Sequence, residues 1–66
     1  MKEITRQVIG NGERGEVVLI TFEESAAGDS GGVETHNRYV VRMGAFTMHD
    51  TDKKRDAENT AHALVR

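Results

Sequence analysis

The chain has 66 residues, a formal net charge of −2 and no cysteine. This length allows one domain, residues 1–66, whose stability without added support is on the order of a few kcal/mol. The missing cysteines exclude disulfides and thiolate metal sites, and we expect no cofactor. The charge disfavours a general nucleic-acid binder. There is no 18-residue apolar run and no signal-peptide pattern, so we expect a cytoplasmic protein without a membrane span.

The first half of the chain predicts a hairpin. Residues 4–9 form a short strand candidate, and residues 10–15 carry three glycines and an asparagine, which is typical of a turn. Residues 16–24 predict a second strand that is apolar on both faces, with Val17 and Leu19 on one side. The small and polar residues 25–32 predict a loop.

Two more strands are predicted at residues 33–43 and 45–49. In the first of these, the odd positions, ending in Tyr39, Val41 and Met43, are expected to face inward, and the even positions outward. Gly44 interrupts the pattern. In the short strand that follows, Phe46 and Met48 are expected to point inward.

A C-terminal helix is predicted over residues 53–66, where Ala57, Ala61, Leu64 and Val65 share one apolar stripe. Residues 50–52 offer aspartate and threonine as N-caps. The expected fold class is α+β: a small antiparallel β-meander of three to four strands, with one helix packed on one face.

One helix covers only one face of a sheet, which suggests that the other face binds a partner. We expect the face carrying Val17 and Leu19, or an open sheet edge, to serve this purpose. A polar-rimmed patch on the outward side of the third strand is the second candidate for protein binding. Its residues are Glu34, His36, Arg38, Val40 and Arg42.

Residues 28–32, Gly-Asp-Ser-Gly-Gly, are identical to the segment around the nucleophilic serine of trypsin-like proteases. That resemblance implies a nucleophilic role for Ser30. The chemistry also needs a histidine, an aspartate and a two-barrel scaffold, and the proteases are several times longer than this chain. We therefore interpret the segment as a loop and expect no catalytic residue.

Residues 49–52, His-Asp-Thr-Asp, contain side chains that are suitable ligands for Zn²⁺ or Mn²⁺. A hydrolytic metal site normally draws three or more ligands from several elements, and no second cluster is visible. We interpret these residues as a strand end followed by helix caps, and we expect no metal.

Lys53, Lys54 and Arg55 place three cations at the start of the predicted helix. Residues 54–61 loosely resemble the start of the last helix in double-stranded-RNA-binding domains. The resemblance implies phosphate contacts by these cations, to which Arg38 and Arg42 could add. The alternative interpretation is a solvated charged face.

The leading hypothesis is a small non-enzymatic protein that acts as a regulator or inhibitor through protein–protein contacts. Its partner would be another protein or a second copy of itself, and a homodimer is expected. By size and architecture alone, such proteins include phage or mobile-element products. The alternative is a small nucleic-acid-binding module that uses Lys53, Lys54, Arg55 and the strand arginines.

Overall fold

The computed structural model describes residues 1–27 and 31–66. Within them the chain forms four strands and one helix: β1 (Lys2–Gly12), β2 (Gly15–Ala27), β3 (Val33–Met43), β4 (Phe46–Thr51) and α1 (Lys54–Leu64). The strands make one antiparallel sheet in the order β1-β2-β3-β4. The predicted α+β meander with a C-terminal helix packed against it is therefore confirmed.

The longest ladder joins β2 to β3. It runs without a register shift from the pair Val17 and Met43 to the pair Ala27 and Val33. The prediction that residues 25–32 are a loop is thus wrong for residues 25–27. These residues pair with Thr35, Glu34 and Val33 and so continue β2.

β4 also runs further than predicted and ends at Thr51. Asp50 and Thr51 are therefore strand residues, and the predicted aspartate cap is absent from α1. The N-cap position is Lys53, which makes no side-chain capping bond. Its N–H donates instead to Thr51 Oγ1 at 3.2 Å.

Phe46 and Met48 are exposed and do not contribute to the core, contrary to the prediction. The register with β3 shifts between the pairs Val41–His49 and Arg42–Thr47, so Met48 is the extra residue of a bulge. Phe46 lies at the sheet end, where the Arg14 guanidinium sits 5.4 Å from its ring centroid.

The helix packs on one side of the sheet through two alanines. Ala57 and Ala61 are fully buried, and they share one core cluster with four strand side chains. Because alanine adds little bulk, the helix axis lies close to the strands. Leu64 and Val65 pack against the same cluster, which confirms the predicted stripe. The four strand residues of this core are Val17, Leu19, Val41 and Met43.

The expectation that Val17 and Leu19 lie on an uncovered face is wrong. Their side chains are 0 % and 5 % exposed, respectively, beneath α1. The physical reason is the register: Leu19 pairs with Val41 and Val17 pairs with Met43. Cross-strand partners share a face, so the inward face of β3 brings Val17 and Leu19 with it. These two residues belong to the core and offer no surface to a partner.

The molecule is elongated, with extents of 46 × 18 × 15 Å. At one end the β1–β2 and β3–β4 turns meet, where the Gly44 N–H donates to the Glu16 carbonyl at 3.0 Å. At the other end the β2–β3 hairpin continues past its neighbours. Pairing with β1 stops at Glu23, and pairing with β4 stops at Tyr39. We call residues 24–27 and 33–38 the arm.

Candidate protein-binding face

The side of the sheet opposite α1 is the uncovered face. The register places residues of all four strands on it, in rows that run across the sheet. Val18 lies between Val8 and Arg42, and Ile20 lies between Arg6 and Val40. Further residues on this face are Glu3, Phe22, Glu24, Glu34, His36, Arg38 and Asp50.

An apolar strip occupies the middle of the uncovered face. Ile20 at its centre is only 2 % exposed, because it is enclosed by cross-strand and same-strand neighbours of its own sheet. The strip grows more accessible outward: Phe22 and Val40 are half-buried, and Val8 is 56 % exposed. The sheet therefore presents solvent with the apolar side chains that α1 leaves uncovered.

Ion pairs flank this strip on both sides. Arg6 Nη2 lies 2.9 Å from Glu3 Oε1 on β1. Across the sheet, Arg38 Nε donates to Asp50 Oδ1, and its Nη1 is 3.9 Å from Glu24 Oε2. The Arg6 hydrogen bond holds the pKa of Glu3 below its ordinary value, and the bond to Asp50 raises the pKa of Arg38. These contacts favour the charged forms of Glu3 and Arg38.

Arg42 lies over the same face beside Val18. Its Nη2 donates to the Ala45 carbonyl at 3.3 Å, whereas its Nε is buried and has no hydrogen-bond partner among the described residues. A buried donor without a partner carries a desolvation cost.

The structure brings together all five residues of the predicted patch. Glu34, His36, Arg38, Val40 and Arg42 lie along the uncovered side of β3, and the first three of them belong to the arm. Sequence reasoning missed the contributions of Val8 and Phe22. The alternation of strand residues 16–24 held the signal for Phe22, but the register with β3 was needed to show which face stays open.

A concave space of about 530 Å³ lies at the base of the arm. It opens where β4 ends, beside the part of β3 that β4 leaves unpaired. Most of its polar lining belongs to β3. The lining residues are Glu24, His36, Asn37, Arg38, Tyr39 and Asp52.

The cations of the nucleic-acid alternative do not form one surface. Lys53, Lys54 and Arg55 are exposed at the start of α1, on the helix side of the sheet. Arg38 and Arg42 lie on the uncovered face, where acidic neighbours accompany Arg38. A nucleic acid bound to the cations at the start of α1 would therefore lie on the opposite side of the sheet from Arg38 and Arg42.

The two remaining candidate motifs have different outcomes. Ser30 and the two residues before it lie outside the described residues. His49 contacts α1, where its Nε2 lies 2.9 Å from Asp56 Oδ2. Within residues 1–27 and 31–66 no group of three or more potential ligands is arranged to hold a metal ion.

In that same part of the chain, no helix has the length and apolar character needed to cross a membrane. Comparison with known proteins adds no family: no protein-family model, no curated protein and no solved structure matches this chain.

Proposed function

We propose that this chain is a small non-enzymatic binding protein, a regulator or inhibitor that contacts another protein through its uncovered face. The observation that carries the proposal is the position of the apolar strip. Val8, Phe22 and Val40 remain accessible on the side of the sheet that α1 does not cover. Burying a valine side chain completely contributes about 1.5–3 kcal/mol relative to leaving it exposed.

The charge distribution supports a protein partner over a nucleic acid. Around the strip, three arginines are accompanied by three carboxylates, which are Glu3, Glu24 and Asp50. Phosphate recognition needs a positive excess, and this face has none. An apolar centre with a polar rim is the usual anatomy of a protein interface.

A capture experiment with one variant on each side of the sheet tests the proposal. Val8→Glu places a charge within the strip at an exposed position, and Lys54→Ala alters the helix side. Tagged wild-type protein and both variants are incubated with nuclease-treated lysate of the native host, and bound proteins are quantified by mass spectrometry. We expect a protein that wild type and Lys54→Ala retain equally and Val8→Glu loses by tenfold or more.

Two results would overturn the proposal. The first is a set of captured proteins that is the same for wild type and Val8→Glu. The second is binding of nucleic acid by the purified protein that is abolished by Lys54→Ala and unaffected by Val8→Glu.

A further inference from the structure

The arm leaves one edge of β3 without a partner strand. β4 pairs with β3 only from Tyr39 to Met43. Residues 33–38 therefore have β2 on one side and, among the described residues, no strand on the other. Unpaired backbone N–H and C=O groups along an edge are a template for another strand.

The two outermost strands carry features that block such pairing, and the arm does not. β1 has register shifts after Glu3 and after Val8, and its last residues are covered by a bridge from Gly12 to Val65. β4 has the bulge at Met48. Bulges twist an edge away from incoming strands. The β2–β3 ladder continues through the arm without a shift.

We infer that residues 33–37 of β3 pair with the same residues of a second copy, antiparallel and across a two-fold axis perpendicular to the sheet. Two identical edges related in this way form an isologous contact. The axis keeps the two uncovered faces on one side and the two helices on the other. The strand residues under α1 in the core are Val17, Leu19, Val41 and Met43, none of which belongs to the arm, so the helices do not obstruct the approach.

Neighbouring residues fix the register of this pairing. Because directly opposite residues must share a face, the allowed registers differ by steps of two residues. One register sets Glu34 opposite Glu34 of the second copy, which places like charges together. Another brings Val33 of the second copy to Tyr39, where Thr51 of β4 already pairs. The register between them sets Thr35 opposite itself on the axis.

That register gives complementary side-chain pairs. Thr35 meets Thr35 of the second copy, and threonine pairs stabilise antiparallel strands. Glu34 lies opposite His36 of the second copy, twice over by symmetry, and an imidazole N–H donates to a carboxylate in either protonation state. Glu34 makes no ion pair with the described residues of its own chain, so its carboxylate is available.

Single-cysteine variants test the pairing and its register, since the chain has no cysteine of its own. Directly opposite residues have Cα atoms about 4.5 or 5.5 Å apart, which lies within the range of a disulfide. Thr35→Cys is therefore expected to form a covalent dimer under mild oxidation. His36→Cys is equally exposed, but its diagonal separation of about 7–8 Å is too large, so it should remain monomeric on a denaturing gel.

Variants that exchange the charges at positions 34 and 36 give an independent test. Their dimerisation is measured by sedimentation of the reduced protein at tens of micromolar. His36→Glu should weaken the dimer by roughly tenfold or more, because the introduced carboxylate then opposes Glu34 of the second copy. Glu34→Lys combined with His36→Glu should restore it. Circular dichroism of each variant checks that the fold is retained.

A monomer for the wild type, or cross-linking of His36→Cys in preference to Thr35→Cys, would overturn the inference. The inference goes beyond the proposed function and rests on the backbone edge of the arm, whereas the proposed function rests on the apolar strip. Val8→Glu is therefore expected to leave the dimer intact, while Thr35→Cys, whose side chain lies on the helix side of the sheet, leaves capture of the partner protein unchanged. Failure of one proposal is thus separable from failure of the other.

Discussion

At the scale of single residues, one glycine controls the end of the sheet where two turns meet. Gly44 has φ +59, a left-handed conformation that side-chain-bearing residues rarely adopt. A Cβ at this position would also collide with the carbonyl oxygen of Arg14 in the neighbouring turn. Both the conformation and the close approach of two backbones therefore require glycine.

We expect Gly44→Ala to lower the free energy of unfolding by about 1–3 kcal/mol, since the strained conformation and the backbone contact cannot both be relieved. Urea denaturation followed by circular dichroism measures the change. Gly32→Ala is the matched control, because a Cβ there has no neighbour within 4 Å and φ lies outside the left-handed region. Equal stability of the two variants would contradict this account of Gly44.

At the scale of secondary-structure elements, a polar contact joins β4 to α1. His49 Nε2 lies 2.9 Å from Asp56 Oδ2, in the first turn of the helix. The hydrogen bond from His49 is the main reason that the pKa of Asp56 lies below its ordinary value of 3.8, and Thr51 and Lys53 act in the same direction. The Asp56 carboxylate also interacts favourably with the positive end of the helix dipole. The N-terminus of α1 has no capping side chain of its own.

The pH dependence of stability follows from the direction of this shift. Below pH 3.8 the unfolded chain binds a proton at Asp56 before the folded chain does, so acid favours unfolding. The stabilisation is complete above the unfolded pKa and is lost as the pH falls through the lower folded pKa. Asp56→Asn should therefore flatten the fall in unfolding free energy as the pH drops below 3.8.

Asp52→Asn is the control for this titration, because Asp52 makes no ion pair with the described residues. Its denaturation midpoints should follow those of the wild type across the same pH range. An acid limb that is equally steep in Asp56→Asn and wild type would show that the His49 contact does not form in solution.

The elements also show what the sequence could and could not predict. Alternation of apolar residues located all four strands, and the alanine spacing located the helix, because both patterns are local. The covered face was assigned correctly for β3 and wrongly for β2. A pattern of apolar residues describes one strand at a time, whereas Leu19 and Val41 share one face only through a register that no local pattern records. The bulge at Met48 and the length of the arm are likewise set by cross-strand pairing.

The residues of the uncovered face also divide into those that a local pattern predicts and those that depend on the cross-strand register. The outward residues of β3, including Arg38, Val40 and Arg42, were predicted from one strand's alternation and lie together on the uncovered face. The contribution of Val8 from β1 could not be predicted, because it depends on two register shifts in a strand with weak alternation.

At the scale of the whole molecule, the two faces of one sheet have opposite roles. Leu19 and Val8 lie on opposite sides of the sheet, the first in the core beneath α1 and the second exposed to solvent. The only extensive core in the described residues is the layer between sheet and helix, whose buried side chains are few. A domain of this size has on the order of a few kcal/mol of stability, so it tolerates little damage to that layer.

We expect Leu19→Glu to unfold the protein at room temperature, because an unpaired carboxylate in an apolar core costs several kcal/mol, about as much as the whole stability. Val8→Glu should change the free energy of unfolding by only about 0.5 kcal/mol, since its side chain already contacts water. Far-ultraviolet circular dichroism and amide proton dispersion measure both. If Leu19→Glu stayed folded with an unchanged melting temperature, α1 could not be covering this face, and the uncovered face would have to be reassigned to the side that carries Leu19.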